Sequence, residues 1–509
     1  MARAEIVLTS DLSLTSDYNG IPYVGFGACL PQNICPHWIY FKFFCPLEPA
    51  YPDGTLVRAT LGLRTIEATC IQSGFSREQV KVTHSLYLDK LINKNTKIVG
   101  ISAEDPLGIG PATSTWSTIF KGIPHNRIEY FRLMRKVKEL KNKYGFKVVM
   151  GGPGAWEVEA HMDKFGIDHL VIGEGEYVIP ELFSQLASPE NNGSLDRRVF
   201  YGRQVKPKDV PLIQGPALGT YTEISRGCGR GCKFCAPNTA GKMRDFPLEK
   251  ILHDAKINAK GSRDNSMCLQ SEDVFLYGSN SKHFYPDEDA IMNLYKTLFE
   301  DVGISRVFVT HSTLAPMAFD PDFFERLTKY LRSKGHRYYG CQPGIETGCS
   351  KTIEEIMHGK ALPFSSEEYP DMIYDALRTC ANLGWTNVCT LVSGLPSEGP
   401  DEMKDTIELI KRLDAFPHLY IPLFFVPMQV TSMKNSRAFI ADNMTPYHAR
   451  ILLDCWRHNI KHMDRNYRVV ASEIGHKAIV KMGIRAMIEV LKAYIRYYER
   501  RHPELVMVH

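Results

Sequence analysis

Missing from this sequence is any uninterrupted apolar run that approaches the length of a membrane span. Its opening residues, Met-Ala-Arg-Ala-Glu-Ile-Val-Leu-Thr-Ser, hold too short an apolar stretch for a secretory signal. An excess of one charge is lacking too: 61 Lys and Arg face 57 Asp and Glu, a net +4 that is too balanced to point to nucleic acid. There is no disulfide framework, because 13 cysteines in 509 residues cluster tightly only once, as suits a reducing compartment. These absences predict a soluble cytoplasmic protein with neither a membrane nor a nucleic-acid partner. The length allows two or three domains with large cores.

What is present is one dense cysteine loop, Thr220-Tyr-Thr-Glu-Ile-Ser-Arg-Gly-Cys228-Gly-Arg-Gly-Cys232-Lys-Phe-Cys235, following a β-like run from Tyr221 to Ile224. Soft thiolates this close suit an iron–sulfur cluster or zinc. Structural zinc normally takes four protein ligands, usually as two separated pairs, and no second pair follows. Cys228, Cys232 and Cys235 alone would leave one iron of a cubane open to a small molecule. Gly227, Gly229 and Gly231 free the backbone to wrap a bulky core.

The spacing, together with Phe234 before the last cysteine, resembles the signature of the radical S-adenosylmethionine (SAM) superfamily. That resemblance implies a [4Fe–4S] cluster on the three cysteines, SAM on the open iron, and an electron donor such as ferredoxin or flavodoxin. It also implies a partial (β/α)6 TIM-like barrel. Strand signals after the loop agree with six strands: the Tyr221 run, Val274–Tyr277, Arg306–Thr310, Tyr338–Gln342, Asn387–Val392 and Tyr420–Val426. Chemistry in such barrels sits at the carboxyl ends of strands.

Before the loop, Ile6-Val-Leu, Val80-Lys-Val-Thr, Lys97–Ser102, Phe146–Met150 and Leu170–Ile172 read as strands. Ile128, Phe131, Met134, Val137 and Leu140 recur at helical spacing, with Gly145 as the stop. The pattern predicts a parallel α/β sheet whose ligand crevice lies beyond the carboxyl ends of its strands. At that edge fall Ser102, Asp105, Leu107 and Gly108; Gly151, Gly152 and Gly154; and Gly173, Glu174 and Gly175. Together these loops resemble the Rossmann-like cobalamin-binding domain that precedes the radical SAM core in one large subclass. The Asp-x-His-x-x-Gly motif that brings a histidine to cobalt elsewhere is absent. The resemblance therefore implies cobalamin without that histidine, its lower face open to a Glu104–Gly108 side chain, to water or to nothing. Cys29, Cys35, Cys45 and Cys70 lie in the same half, either as buried thiols or as ligands to a second cluster.

Further residues follow from the resemblance. Phe234 would meet the adenine edge, and Leu395 and Pro396 of Gly-Leu-Pro-Ser-Glu398 its other side. Gly278-Ser-Asn280 stands where the family often has Gly-Gly-Glu, leaving Asn280 for the SAM amine. Glu346 of Gly-Ile-Glu-Thr-Gly would accept from SAM or its ribose, with Thr310 and Ser312 at the ribose. His311, Tyr339 and Gln342 are the candidates for acid–base work, each equally readable as a structural hydrogen-bonder.

The expected layout is a cobalamin domain over residues 1–205, a proline-rich linker over 206–218, the radical SAM core over 219–430 and a helical cap over 431–509. Ile484, Met487, Ile488, Leu491, Ile495 and Tyr498 form the cap's apolar stripe, and Pro503 ends it. The implied reaction is methylation of an unactivated sp3 carbon through a 5′-deoxyadenosyl radical and methylcobalamin. The layout is similar to that of methanogen enzymes that methylate side chains of methyl-coenzyme M reductase, which implies a protein substrate, a glutamine by that likeness. No motif separates glutamine from arginine. Two other readings stand beside it: a cobalamin-free, two-cluster methylthiotransferase, and a metal-stabilised binding module without activity.

Overall fold

A computed structural model describes residues 4–18, 22–188, 195–236, 241–279, 282–474 and 478–501. The chain forms two compact units. The first comprises residues 1–222 and 246–267, the second residues 223–245 and 268–509.

The first unit is built on six strands: β1 (Ile6–Ser10), β2 (Val80–His84), β3 (Ile98–Ser102), β4 (Lys147–Gly151), β5 (His169–Ile172) and β6 (Val199–Tyr201). They lie in the order β2-β1-β3-β4-β5-β6, and the pairs are parallel. Five match the strands expected, and β6 is additional. Its short Val-Phe-Tyr run gave no periodic signal. Parallel strands covered on both faces need continuous apolar runs: Ile6, Leu8, Val80, Val82, Ile98, Val149 and Val171 are all buried. Leu63 and Cys70 of the helix Leu61–Gln72, and Leu182, Phe183 and Leu186 of the helix Ile179–Ala187, pack on one face. The helix His125–Tyr144 ends where expected, at Gly145, whose φ of 78° is left-handed. β2 follows β1 to one side and β3 sits on the other, so the order reverses between β1 and β3, the place where such sheets bind ligands.

β7 (Tyr221–Glu223) carries the chain into the second unit, where β8 (Ser225–Arg226) pairs antiparallel with β9 (Arg244–Asp245). The next strand is β10 (Ser266–Gln270), not Val274–Tyr277: Val274–Leu276 form a buried 3-10 turn. Leu269 accepts from Thr310 N at 3.0 Å, just beyond β11 (Arg306–Val309), and Gln270 accepts from Ile224 N at 3.0 Å. Tyr338–Gln342 also differs from expectation. It makes only isolated bridges, Gln342 to His311 and Tyr339 to Trp385, and the regular strand is β12 (Gly344–Glu346). β12 continues parallel to β13 (Val388–Ser393) and β14 (Leu419–Phe424). Counting the bridged Gln342 segment with β12, six strand positions remain, the fourth one broken.

The helix Pro446–Ile474 packs on β14 and on the helix Pro400–Leu413. Asn459 completes that contact as a side-chain strand: its Oδ1 accepts from Tyr420 N (2.7 Å) and its Nδ2 donates to Tyr420 O (2.8 Å). Satisfying buried backbone groups in this way blunts an open edge. In the last helix, Ala478–Arg501, Ile488 and Ile495 of the expected stripe are buried. Pro503 and the side chains of Ile484, Met487, Leu491 and Tyr498 lie outside the described residues. Among the described residues no helix is long and apolar enough to cross a membrane.

Candidate functional site

The cysteine loop leaves β8 with Gly227, Gly229 and Gly231 all at positive φ (75°, 75° and 68°), alternating with Cys228, Arg230 and Cys232. Repeated left-handed steps are open to glycine at little cost and turn the chain tightly about an interior point. Cys235 N closes the turn on Cys232 O (3.1 Å), and Lys233 N bonds Ile356 O (3.0 Å).

Arg230, which the sequence did not single out, fastens the loop. Its buried guanidinium donates to the carbonyls of Gly359 (2.9 Å), Lys360 (3.2 Å) and Leu362 (2.8 Å), and to Thr313 Oγ1 (2.8 Å) and Asp273 Oδ2 (3.3 Å). Asp273 accepts in turn from Ser312 Oγ (2.9 Å) and Thr313 Oγ1 (2.6 Å). Ser312, expected at a ribose, is buried with its hydroxyl against Asp273. Thr310, expected beside it, has its hydroxyl within hydrogen-bond distance of the carbonyls of Leu269 and Ser271.

Burial raises all three thiols, Cys228 to about 11, and each is raised further by a neighbouring thiol or by Glu346. Opposing this, Arg230 acts on Cys228 and Lys360 on Cys232 and Cys235. Buried thiols that shift one another beside two cations are a donor set for a cationic cluster, whose binding requires thiolates. Lys360 is itself buried. Burial works to lower its pKa, but Glu346, Tyr369 and Cys232 outweigh it and the net shift is upward. Its Nζ stands 3.0 Å from Glu346 Oε1, while Glu346 Oε2 accepts from Thr390 Oγ1 (3.0 Å). Glu346 holds a left-handed φ of 64°, a costly conformation for a residue with a Cβ, and sits inside the protein beside the loop.

Near Gly278 a second acid appears. Asp245 Oδ2 accepts from Gly278 N at 3.0 Å, while its buried Oδ1 has no partner. Burial pushes the carboxyl up to about 6. This orphaned oxygen can take a cationic amine, the role that sequence gave to Asn280, which lies outside the described residues. Only its contact in the fold marks Asp245.

The acid–base candidates separate. Tyr339 is buried, its hydroxyl donating to His336 O (2.7 Å) and its ring stacked on Trp385, so it packs. His311 and Gln342 meet across their bridge; burial lowers the imidazole's pKa, the Gln342 side chain opposes this, and Nδ1 has no partner. Phe234 is half-buried and Pro396 exposed, while Leu395 is buried with its N–H donating to Glu398 Oε2 (3.2 Å).

At the carboxyl edge of the first unit's sheet several glycines let loops approach one another closely. A Cβ on Gly154 would fall 2.2 Å from Glu104 O, one on Gly152 2.5 Å from Ala103 O, and one on Gly173 2.6 Å from Gly202 O. Gly108, at φ 69°, is closed by Pro124, Gly175 by Ile66; Gly151 alone makes ordinary contact. Three further expected contacts have protein partners here. Asp105 caps its own loop, with Oδ1 accepting from Ile109 N (2.8 Å) and Gly110 N (2.9 Å) and Oδ2 from Asn126 Nδ2 (3.0 Å) and Thr113 Oγ1. Glu174 Oε2 accepts from Val205 N (2.7 Å). Leu107 N is held by Glu157 Oε2 (2.8 Å), whose carboxyl burial pushes up to about 10.

At the β1/β3 switch point Ser102 is half-buried, Glu104 is exposed, and the fully buried Ser10 hydroxyl has no partner. Solvent reaches Glu104, whose carboxyl is raised by desolvation and then by Asp105. Burial raises the thiols of Cys29, Cys35, Cys45 and Cys70, and Cys35 packs against the apolar cluster that holds Cys45 and Tyr40.

Residues 222–410 match the Radical SAM superfamily. The chain is 29% identical over 223 residues to the tRNA-2-methylthio-N(6)-dimethylallyladenosine synthase of Malacoplasma penetrans (strain HF-2), covering 42% of this chain and 41% of that protein. It is 24% identical over 228 residues to the ribosomal protein uS12 methylthiotransferase RimO of Pelodictyon phaeoclathratiforme (strain DSM 5477 / BU-1), covering 43% and 48%. The chain thus spans about half the length of these curated relatives or less. In fold it is similar to the radical SAM methyltransferase TsrM from Kitasatospora setae, solved with cobalamin and a [4Fe-4S] cluster bound. The TM-score is 0.50 at 15% identity, over 84% of this chain and 74% of that one. The chain carries a radical SAM domain, and with it the fold class of an α/β protein with parallel sheets.

Proposed function

We propose that this chain, a radical SAM protein, is a cobalamin-dependent C-methyltransferase acting on an unactivated sp3 carbon of a protein side chain, a glutamine of methyl-coenzyme M reductase in the narrowest form of the reading. The observation that carries it is a parallel sheet whose strand order reverses between β1 and β3, where Ser102 is half-buried and Glu104 exposed.

In this reading Cys228, Cys232 and Cys235 would hold the [4Fe–4S] cluster, and Ser102 and Glu104 would meet the corrinoid. When bound, the cluster supplies an electron for reductive cleavage of SAM, and the corrinoid a methyl group. The protein's part is placement. Arg230 keeps the cysteine loop from opening. Lys360 and Arg230 offset negative charge on the thiolates, which in a dry site counts for more than in water. Asp245 Oδ1 takes the SAM amine. Hydrogen abstraction from an sp3 carbon needs no side-chain base, so neutral His311 and Gln342 position rather than react.

The methylthiotransferase reading keeps a foothold in the sequence relatives. Anaerobic reconstitution separates the two: about four irons and one corrinoid per chain support methylation, and about eight irons without corrinoid support the alternative. The decisive test is anaerobic incubation with SAM, reductant and glutamine- or arginine-containing peptides. A peptide gaining one methyl group with 5′-deoxyadenosine formed is the expected result. Deoxyadenosine without methylated peptide would sink the protein-substrate part.

A further inference from the structure

Away from the cysteine loop, Asp414, His458 and His462 bring one ligand atom each to within 4.8 Å of one another. Position explains the meeting. His458 and His462 are four residues apart on the helix Pro446–Ile474, hence on one face, and Asp414 follows the last turn of the helix Pro400–Leu413 that packs on it. His458 is 1% exposed and Asp414 47%.

Hydrogen bonding around His458 does not close with protein atoms alone. Its Nδ1 lies 3.3 Å from Asp414 Oδ1 and its Nε2 3.2 Å from the His418 carbonyl. Both oxygens only accept, and a neutral imidazole has one N–H. If Nε2–H donates to the carbonyl, a lone pair on Nδ1 faces a carboxylate. If Nδ1–H donates to Asp414, the carbonyl faces a lone pair instead. The extra proton that would satisfy both would put a charge on a ring that is 1% exposed and 4.5 Å from the ring of His462. A cation between Nδ1 and Oδ1 satisfies both, with Nε2–H on a carbonyl as ligating histidines commonly arrange it. His462 Nε2 lies 3.0 Å from the Asp414 carbonyl, and its ring centre is 4.5 Å from that of His458.

We propose that Asp414, His458 and His462 bind a divalent transition-metal ion of the zinc class, tying the C-terminal helix to the segment that enters β14. Two imidazoles and a carboxylate suit zinc, and three protein ligands leave a position for water on the exposed Asp414 side. Tetrahedral bonds of about 2.0–2.1 Å would place the donors roughly 3.3 Å apart. Rotation of the exposed Asp414 side chain supplies the remaining approach. Lys461 is the resident competitor: its ammonium bonds Asp414 Oδ2 and O, and at 54% exposure it can swing into solvent.

The test uses the full chain with its cluster reconstituted, so that the loop thiols are occupied. Zn2+ is titrated by calorimetry, and retained zinc is counted after dialysis. One zinc per chain is expected, with a higher thermal midpoint. Asp414→Asn and His462→Gln, both at solvent-accessible positions, should each weaken binding at least tenfold while leaving iron content and the zinc-free midpoint unchanged. Lys461→Ala should tighten it severalfold, a response that a merely structural trio would not give. No retained zinc, or retention equal in wild type and both ligand variants, overturns the proposal.

Discussion

Lys360 Nζ stands 3.0 Å from Glu346 Oε1, both side chains 9% exposed, and the pair adjoins Cys232. Removing one partner strands the other's charge, which costs about 3–5 kcal/mol at a buried pair. Lys360→Met should therefore destabilise the cluster-free protein by about that amount in chemical denaturation, and iron per chain should fall because the thiols lose their cation. Lys360→Met with Glu346→Gln should recover most of the stability but not the iron. A double variant that holds a full cluster would show that the pair matters only for folding.

Arg230 spreads five contacts over a planar fork that an ammonium cannot match. Arg230→Lys should lose about 2–3 kcal/mol, on the scale of hydrogen bonds to a charged group, and should slow cluster reconstitution. Circular dichroism of the cluster-free protein should stay unchanged. Normal reconstitution would remove Arg230 from the account.

Asp245, with its carboxyl raised to about 6, carries a pH dependence of determined sign. Its folded pKa lies above the unfolded value of 3.8, so its contribution to stability is full below that value and is lost as pH rises through about 6. Asp245→Asn should thus stabilise the ligand-free protein at neutral pH. With Asp245 in its proposed role, SAM binding should weaken in the wild type below about pH 6, and in the variant should be roughly tenfold weaker above it, about 1.4 kcal/mol. An unchanged SAM affinity in Asp245→Asn would return the amine to another acceptor.

Burial raises the thiols of Cys29, Cys35 and Cys45, and Cys35 packs against the cluster that holds Cys45. Changing the three together to serine should leave iron at about four per chain, whereas Cys228→Ala alone should bring it near zero. A fall by half in the triple variant would restore the two-cluster reading.

Legibility followed the range of the interactions. The β1–β5 runs and the stop at Gly145 could be read because β-branched runs and a left-handed glycine act locally. β10 was missed since Ser-Met-Cys-Leu-Gln lacks β-branched residues, and Val274-Phe-Leu took its place because a buried turn is as apolar as a strand. Asp105 and Glu174 resembled ligand contacts, yet each carboxylate is used by backbone amides that approach only in the folded loop.

By itself the sequence determined the cysteine spacing, the alternating glycines that let that loop turn, and the parallel α/β plan, all of them consequences of residues near in the chain. Tertiary structure alone brought Arg230 and Lys360 to the cysteine loop and Asp245 to Gly278, gave the Ser312 and Thr310 hydroxyls protein partners, and set two histidines beside Asp414. The physical reason is that a charge or an orphaned lone pair takes its meaning from what is packed against it, and those neighbours come from segments tens of residues away.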